Sequence, residues 1–295
     1  MTTLDGPTGS TVPRRQLGRI LGELRDRAGF KAKDAARALE RSPVTLWRIE
    51  KGTVSSRGVE VKAMCDLYDA PKDLTEALVA LAKETKARGW WHAYGDVIPE
   101  GFDLYIGLEE AASRIDWYEP DLVPGLLQTE GYARTIIGTG YAEQTSAEIE
   151  RRVQLRLKRR VLLTRVTAPP QVNVVVNDAA VQRPVGGHTV MAEQLTYLSE
   201  IGKLPNVTVR ILPFSAGLHQ GCMTGRFQIL RFPLTPSGKN TEPPTVYSDG
   251  YTGDLYLDKP NEVEHYDRAF QEISSAALTE EASRRLILEM VGRYE

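Results

Sequence analysis

Val44, Thr45 and Arg48 place a branched apolar group, a hydroxyl carrying a methyl, and a guanidinium within one short segment. Those are the chemistries that read DNA base edges. An arginine fork matches the O6 and N7 acceptors of guanine, and a small apolar group packs on the thymine methyl. Pro43 stands at the tip of the same segment, so Pro43, Val44, Thr45 and Arg48 are the expected base-reading residues. Lys31, Lys33, Arg41, Lys51 and Arg57 surround them and are expected at phosphates, whose contacts fix register without carrying sequence information.

Side chains that reach into a groove need a rigid element beneath them. Ser42 followed by Pro43 is a helix start, with a hydroxyl at the N-cap and a proline at a position that needs no N–H. Gly52 closes the helix at the usual C′ position. Leu46 and Ile49 share one face, while Val44, Thr45 and Arg48 lie off it. Ala35, Ala36 and Leu39 mark a preceding short helix. Two short helices joined by a tight turn make a helix-turn-helix, whose second helix enters the major groove. Trp47 either covers part of the core or lies along the DNA backbone. Packing is favoured, because large aromatics usually serve as apolar area.

Three further helices complete this head. Leu17, Ile20, Leu21 and Leu24 stripe a helix from Arg14 to Ala28; Val61, Met64, Cys65 and Tyr68 stripe another. A fifth, from Asp73 to Arg88, carries Leu74, Leu78 and Leu81. The expected organisation is a disordered lead-in over 1–12, an all-α five-helix head over 13–89, and a second domain over 90–295.

Charge separates the two domains more sharply than composition does. The 295 residues are 41% hydrophobic and 26% charged, ordinary values for a globular chain, with a net charge of −2. Residues 13–57 hold twelve Lys and Arg against five Asp and Glu, a net +7, whereas residues 58–295 carry −8. A basic head on an acidic body localises phosphate attraction to one end. The two cysteines, Cys65 and Cys222, fit a reducing compartment and no disulfide framework. No apolar run spans a bilayer and no signal-peptide core opens the chain, so a cytoplasmic protein without membrane partners is expected.

The second domain mixes helices and strands. A helix is expected over 107–118, a turn through Pro124 and Gly125, a helix start at Thr129, and an arginine-rich amphipathic helix over 148–164. The strand at 171–177, helix at 188–201 and strand at 207–212 predict a βαβ unit with a parallel pair. Strands at 225–232, 245–248 and 255–258 and two closing helices, 261–276 and 279–293, follow. The fold class is thus an all-α head followed by an α/β (α+β) domain. The apolar positions Ile149, Val153, Leu157 and Val161 favour burial of the basic helix, with its arginines paired to the acidic body, over contact with DNA flanks.

Other chemistry in this half is thin. His219, Cys222 and Asp249 invite a Cys–His reading, but no nucleophile signature surrounds Cys222. His92, His188, His219 and His265 have no metal-ligand spacing. Gly186 and Gly187 before a helix suggest a turn more than an anion site. No catalysis, metal or cofactor is expected.

Thr45 through Gly52 resembles the end of the recognition helix in the lambda-repressor/Cro (XRE) class, and the resemblance extends over 14–70. It implies that Glu50 pairs with Arg25 as a structural tie between the first and third helices. From Trp90 onward the chain resembles the uncharacterised sensor-like domain that follows such a head in many actinomycete regulators. The carriers are Trp90-Trp91, Tyr105 to Glu109, Leu122 to Thr129, Tyr132 to Arg134, Arg183 to Gly187, Gln194-Leu195 and Leu212-Pro213. Asn177-Asp178 departs from the paired acids more frequent there. The resemblance implies a homodimer on a palindromic double-stranded operator, regulated by a small molecule or a small partner protein. The alternative is an antitoxin-like repressor whose C-terminal half mainly binds that partner.

Overall fold

The computed structural model describes residues 12–84, 90–99, 101–234, 238, 240–251 and 253–295. The expected lead-in lies outside the described residues except for Val12, which begins the first helix. Gly89 and the last residues of the expected fifth helix also lie outside them. The chain separates into two compact units, 1–93 with 99–111 and 94–98 with 112–295.

The first unit is helical: α1 (Val12–Arg27), α2 (Ala32–Ala38), α3 (Pro43–Glu50), α4 (Gly58–Leu67), α5 (Lys72–Glu84) and α6 (Phe102–Ala111). Its core is built from the helical stripes. Leu17, Leu21 and Leu24 of α1 pack with Ala35 and Ala36 of α2, Leu46 and Ile49 of α3, Val61, Met64 and Cys65 of α4, and Leu78 of α5. Cys65 is fully buried, and desolvation raises its thiol pKa.

The second unit runs β1 (Arg114–Glu119), α7 (Glu130–Gly140), α8 (Ser146–Arg159), β2 (Gln171–Asn177), α9 (Asp178–Gln182), α10 (His188–Ile201), β3 (Val207–Leu212), α11 (Gly221–Thr224), β4 (Phe227–Arg231), β5 (Thr245–Gly250), β6 (Gly253–Leu257), α12 (Pro260–Ala276) and α13 (Glu280–Tyr294). Six strands form one sheet in the order β3-β2-β1-β4-β5-β6. β1, β2 and β3 are parallel, with Glu119 beside Val176 and Asn177 beside Leu212. β4 runs antiparallel to β1, setting Tyr118 against Phe227, and β5 and β6 continue antiparallel. Tyr118, Val175, Phe227, Ile229 and Val246 face Val263, Phe270 and Ile273 of α12.

The expected helix over 107–118 is corrected here. Helix α6 stops at Ala111, and Arg114 onward is a strand at the centre of the sheet. A central strand is buried on both faces and loses the alternation that marks a half-exposed one. Ile115 to Glu119 are all buried, including two acids. Asp116 is satisfied by Arg114 Nε at 3.0 Å, Asn173 Nδ2 at 2.7 Å and the Arg231 guanidinium. Among the described residues, no helix is long and apolar enough to cross a membrane.

Candidate nucleic-acid interface

Helix α3 is held at both ends by local chemistry. Ser42 Oγ accepts the Thr45 backbone N–H at 3.1 Å, and Pro43 occupies the first turn. At the other end Gly52 N donates to the Ile49 carbonyl and Thr53 N to the Arg48 carbonyl, both at 3.0 Å, which satisfies carbonyls the helix leaves open. Gly52 has φ +66°, and a Cβ there would lie 2.6 Å from the Arg15 backbone. A Cβ on Gly18 would lie 2.4 Å from the Ile49 carbonyl oxygen. Both glycines therefore let α1 rest directly on the C-terminal backbone of α3. The turn from α2 passes through Glu40 at φ +53°, with Arg41 N donating to the Ala36 carbonyl at 2.8 Å.

The inner face of α3 is fixed by Leu46 and Ile49, both buried. Beside them Arg25 donates to both carboxylate oxygens of Glu50, Nε at 2.6 Å and Nη2 at 3.0 Å, and Arg25 Nη1 also donates to the Phe30 carbonyl. These hydrogen bonds raise the guanidinium pKa above its ordinary value. The pair joins α1 to α3, and Glu50 faces the scaffold.

The outer face carries Val44, Trp47, Arg48 and Lys51, at the spacing of one helical stripe. Val44 is 60% exposed, and Arg48 and Lys51 are also exposed. Trp47 is 55% exposed, which corrects the packing expected for it. Its ring lies three residues from Val44 and next to Arg48, so it shares their surface. The signal was in the spacing: Leu46 and Ile49 already fill the buried face. Pro43 is exposed at the helix tip, and Thr45 is half-buried, with its hydroxyl 2.9 Å from Ser42 Oγ.

The flanking cations divide. Lys31 at the N-cap of α2, Lys33, Lys51 at the C-cap of α3 and Arg57 at the N-cap of α4 are exposed. Arg41, also expected at phosphate, is exposed as well and donates to Glu60 at 2.5 Å. The other Glu60 oxygen accepts the Arg57 backbone N–H at 2.9 Å. Arg41 thus braces the turn against the start of α4.

The basic helix of the second unit has its own partners. Arg151 forms a bidentate pair with Asp96, at 2.8 and 2.6 Å. Arg152 lies over the Tyr141 ring, Arg160 over that of Tyr197, and Arg156 donates to Gln128 at 2.8 Å. Val153 is buried, Ile149 and Leu157 are half-buried, and Val161, expected inside, is exposed.

His219 and Cys222 do meet, with Nε2 3.6 Å from Sγ. An activated Cys–His pair needs a third group to orient the imidazole. His219 Nδ1 has no hydrogen-bond partner among the described residues, and Asp249 lies against Arg226.

Two family models match the chain. The model described as a helix-turn-helix domain covers residues 16–78, which holds α2, α3 and their turn. The model described as a domain of unknown function, DUF5753, covers residues 102–289. No curated protein and no solved structure matches the chain.

Proposed function

The chain belongs to the DUF5753 family, with a helix-turn-helix domain ahead of that region, and on this premise we propose that it is a sequence-specific transcriptional regulator that reads the major groove with residues 43–51. The helix-turn-helix domain makes it a DNA-binding protein of the regulatory kind. The observation that carries the finer reading is the division of α3 into a locked inner face and an open outer one. Leu46, Ile49 and the Arg25–Glu50 pair hold the helix from within, and Val44, Trp47, Arg48 and Lys51 are exposed on the other side. In this reading Arg48 addresses a guanine, Val44 a thymine methyl, and Lys31, Lys33, Lys51 and Arg57 the phosphates.

One head per chain supports a homodimer on an inverted repeat, with half-sites about one helical turn apart. The C-terminal unit then supplies dimerisation and the response to a signal. The test begins with an operator selected from random duplexes by the purified full chain. Arg48→Ala should weaken that operator by about 1–3 kcal/mol and relax the preference at a single base pair per half-site. Stoichiometry at saturation should be two chains per operator. Equal loss on selected and random DNA would overturn base reading by Arg48, and tight binding of one chain to one half-site would overturn the dimer.

A further inference from the structure

One end of the sheet gathers charged groups that the DNA-binding head does not use. β1, β2 and β3 are parallel and finish together, and β4 starts beside the end of β1. Glu119 closes β1, Asp178 follows β2, Phe214 follows β3, Arg226 precedes β4 and Asp249 lies near the end of β5. In open α/β sheets ligands bind in the crevice beyond the carboxyl ends of the parallel strands.

The groups there are incompletely satisfied. Glu119 is 6% exposed, and its Oε1 has no hydrogen-bond partner among the described residues. Asp178 is 8% exposed; Oδ2 accepts the Phe214 N–H at 3.5 Å, and Oδ1 has no partner among the described residues. Buried polar atoms without a partner are rare in native proteins, and each calls for an explanation. Arg226 stands among three carboxylates: Nη1 donates a long hydrogen bond to Asp249 at 3.4 Å, while Glu119 at 3.6 Å and Asp121 at 3.8 Å are approached without one. A closed charge-assisted hydrogen bond would be about 2.7–2.9 Å. Arg183 reaches Asp121 at 3.6 Å.

Three carboxylates, Glu119, Asp121 and Asp249, therefore face two guanidiniums, and the unused atoms on the buried Glu119 and Asp178 are acceptors. The missing partner is a donor with positive charge. A bare metal ion fits poorly beside the Arg226 guanidinium. The rim is apolar: Phe214, Leu218 and Met223 are exposed. Three such side chains are far fewer than the roughly 20–30 residues per side of a stable protein interface. A small molecule suits both the rim and the depth of the acceptors.

We propose that the carboxyl end of the β1–β2–β3 sheet binds a small organic cation, an ammonium or guanidinium group carried on an apolar body. The cation's donors engage Glu119 Oε1 and Asp178 Oδ1, and its body covers Phe214, Leu218 and Met223. Nothing in this assignment depends on DNA binding.

Isothermal titration of the full chain with phenethylammonium and with butylguanidinium tests it, with 3-phenylpropionate as the anionic counterpart of similar shape. At least one cation should saturate one site per chain with a dissociation constant of about 1 mM or below. Glu119→Gln and Asp178→Asn should each weaken it by about tenfold or more while circular dichroism stays unchanged, and 3-phenylpropionate should not saturate. Asp249→Asn, at an exposed position, gives a second reading should a buried variant fail to fold, with weakening again expected. Failure of both cations to saturate by about 10 mM would overturn the proposal. Equal binding of the anion, or unchanged affinity in the folded variants, would overturn it as well.

Discussion

Replacing Glu119 by glutamine should stabilise the protein, and the gain should grow with pH. Glu119 sits at the end of the central strand, 6% exposed. Its loss of hydration outweighs the attraction of Arg226 at 3.6 Å, and Asp249 and Asp121 add repulsion, so the carboxyl is pushed up from 4.5 to about 7. An acid whose folded pKa is raised holds its proton more tightly in the native state. The cost to folding is then absent below the unfolded pKa, grows through the window between 4.5 and about 7, and is complete above it. That gap corresponds to about 3 kcal/mol once both states are ionised. Glutamine keeps the shape and removes the charge, and the neighbouring groups remain in both proteins. The stability difference, variant minus wild type, should therefore widen by about 2.5 kcal/mol between roughly pH 5 and roughly pH 8. Urea titrations of both full-length proteins, followed by circular dichroism and by the fluorescence of buried Trp117, measure it. A difference that stays constant across this range, or that shrinks as pH rises, would refute the argument that Glu119 is ionised at a cost.

Three further outcomes follow from the head. Lys51→Ala should weaken binding to all duplexes alike and reduce the slope of log affinity against log salt by about one; an unchanged slope would remove Lys51 from the phosphate contacts. Trp47→Ala should leave stability within about 0.5 kcal/mol, as expected for an exposed position, while lowering DNA affinity several-fold. Loss of stability well beyond that, with affinity of the folded fraction intact, would restore the packing role. Gly52→Ala should destabilise the head by about 2–4 kcal/mol, adding the cost of a left-handed alanine to the clash with Arg15. Thermal unfolding reads this directly, and a shift equivalent to less than about 0.5 kcal/mol would mean that the close approach of α1 relaxes freely.

The head was legible because its determinants are local. Ser42 with Pro43, the apolar pair Leu46 and Ile49, and Gly52 each act within a few residues of where they stand, and the structure uses all of them as caps and core. Trp47 was misplaced for a statistical reason. Large aromatics are usually buried, but the inner face of α3 was already filled, and only the angular position of residue 47 decides its surroundings. Arg41 shows the limit from another side: its charge suits phosphate, and its additional partner, Glu60, lies across a turn that spacing alone does not close. The misread strand β1 has a tertiary cause. Helix formers lead up to Ala112, and the strand behind them is shielded on both faces by elements far away in sequence.

The cluster at the end of the sheet was beyond sequence reasoning for a reason that also supports its importance. Glu119, Asp178, Arg226 and Asp249 belong to four different strands or their flanks, and only the order β3-β2-β1-β4-β5-β6 with its register brings them together. Elsewhere in the same sheet a buried acid is fully compensated: Asp116 has an asparagine and two arginines around it. The fold can therefore satisfy a carboxylate at this depth. At Glu119 it does not, although Arg226 is adjacent and three acids compete for that one guanidinium. A perturbed, unsatisfied ionisable group of this kind is what binding sites tend to contain and what purely structural networks tend to remove. The contrast between Asp116 and Glu119, two acids on one strand, locates the ligand-facing end of the sheet more firmly than either residue does alone.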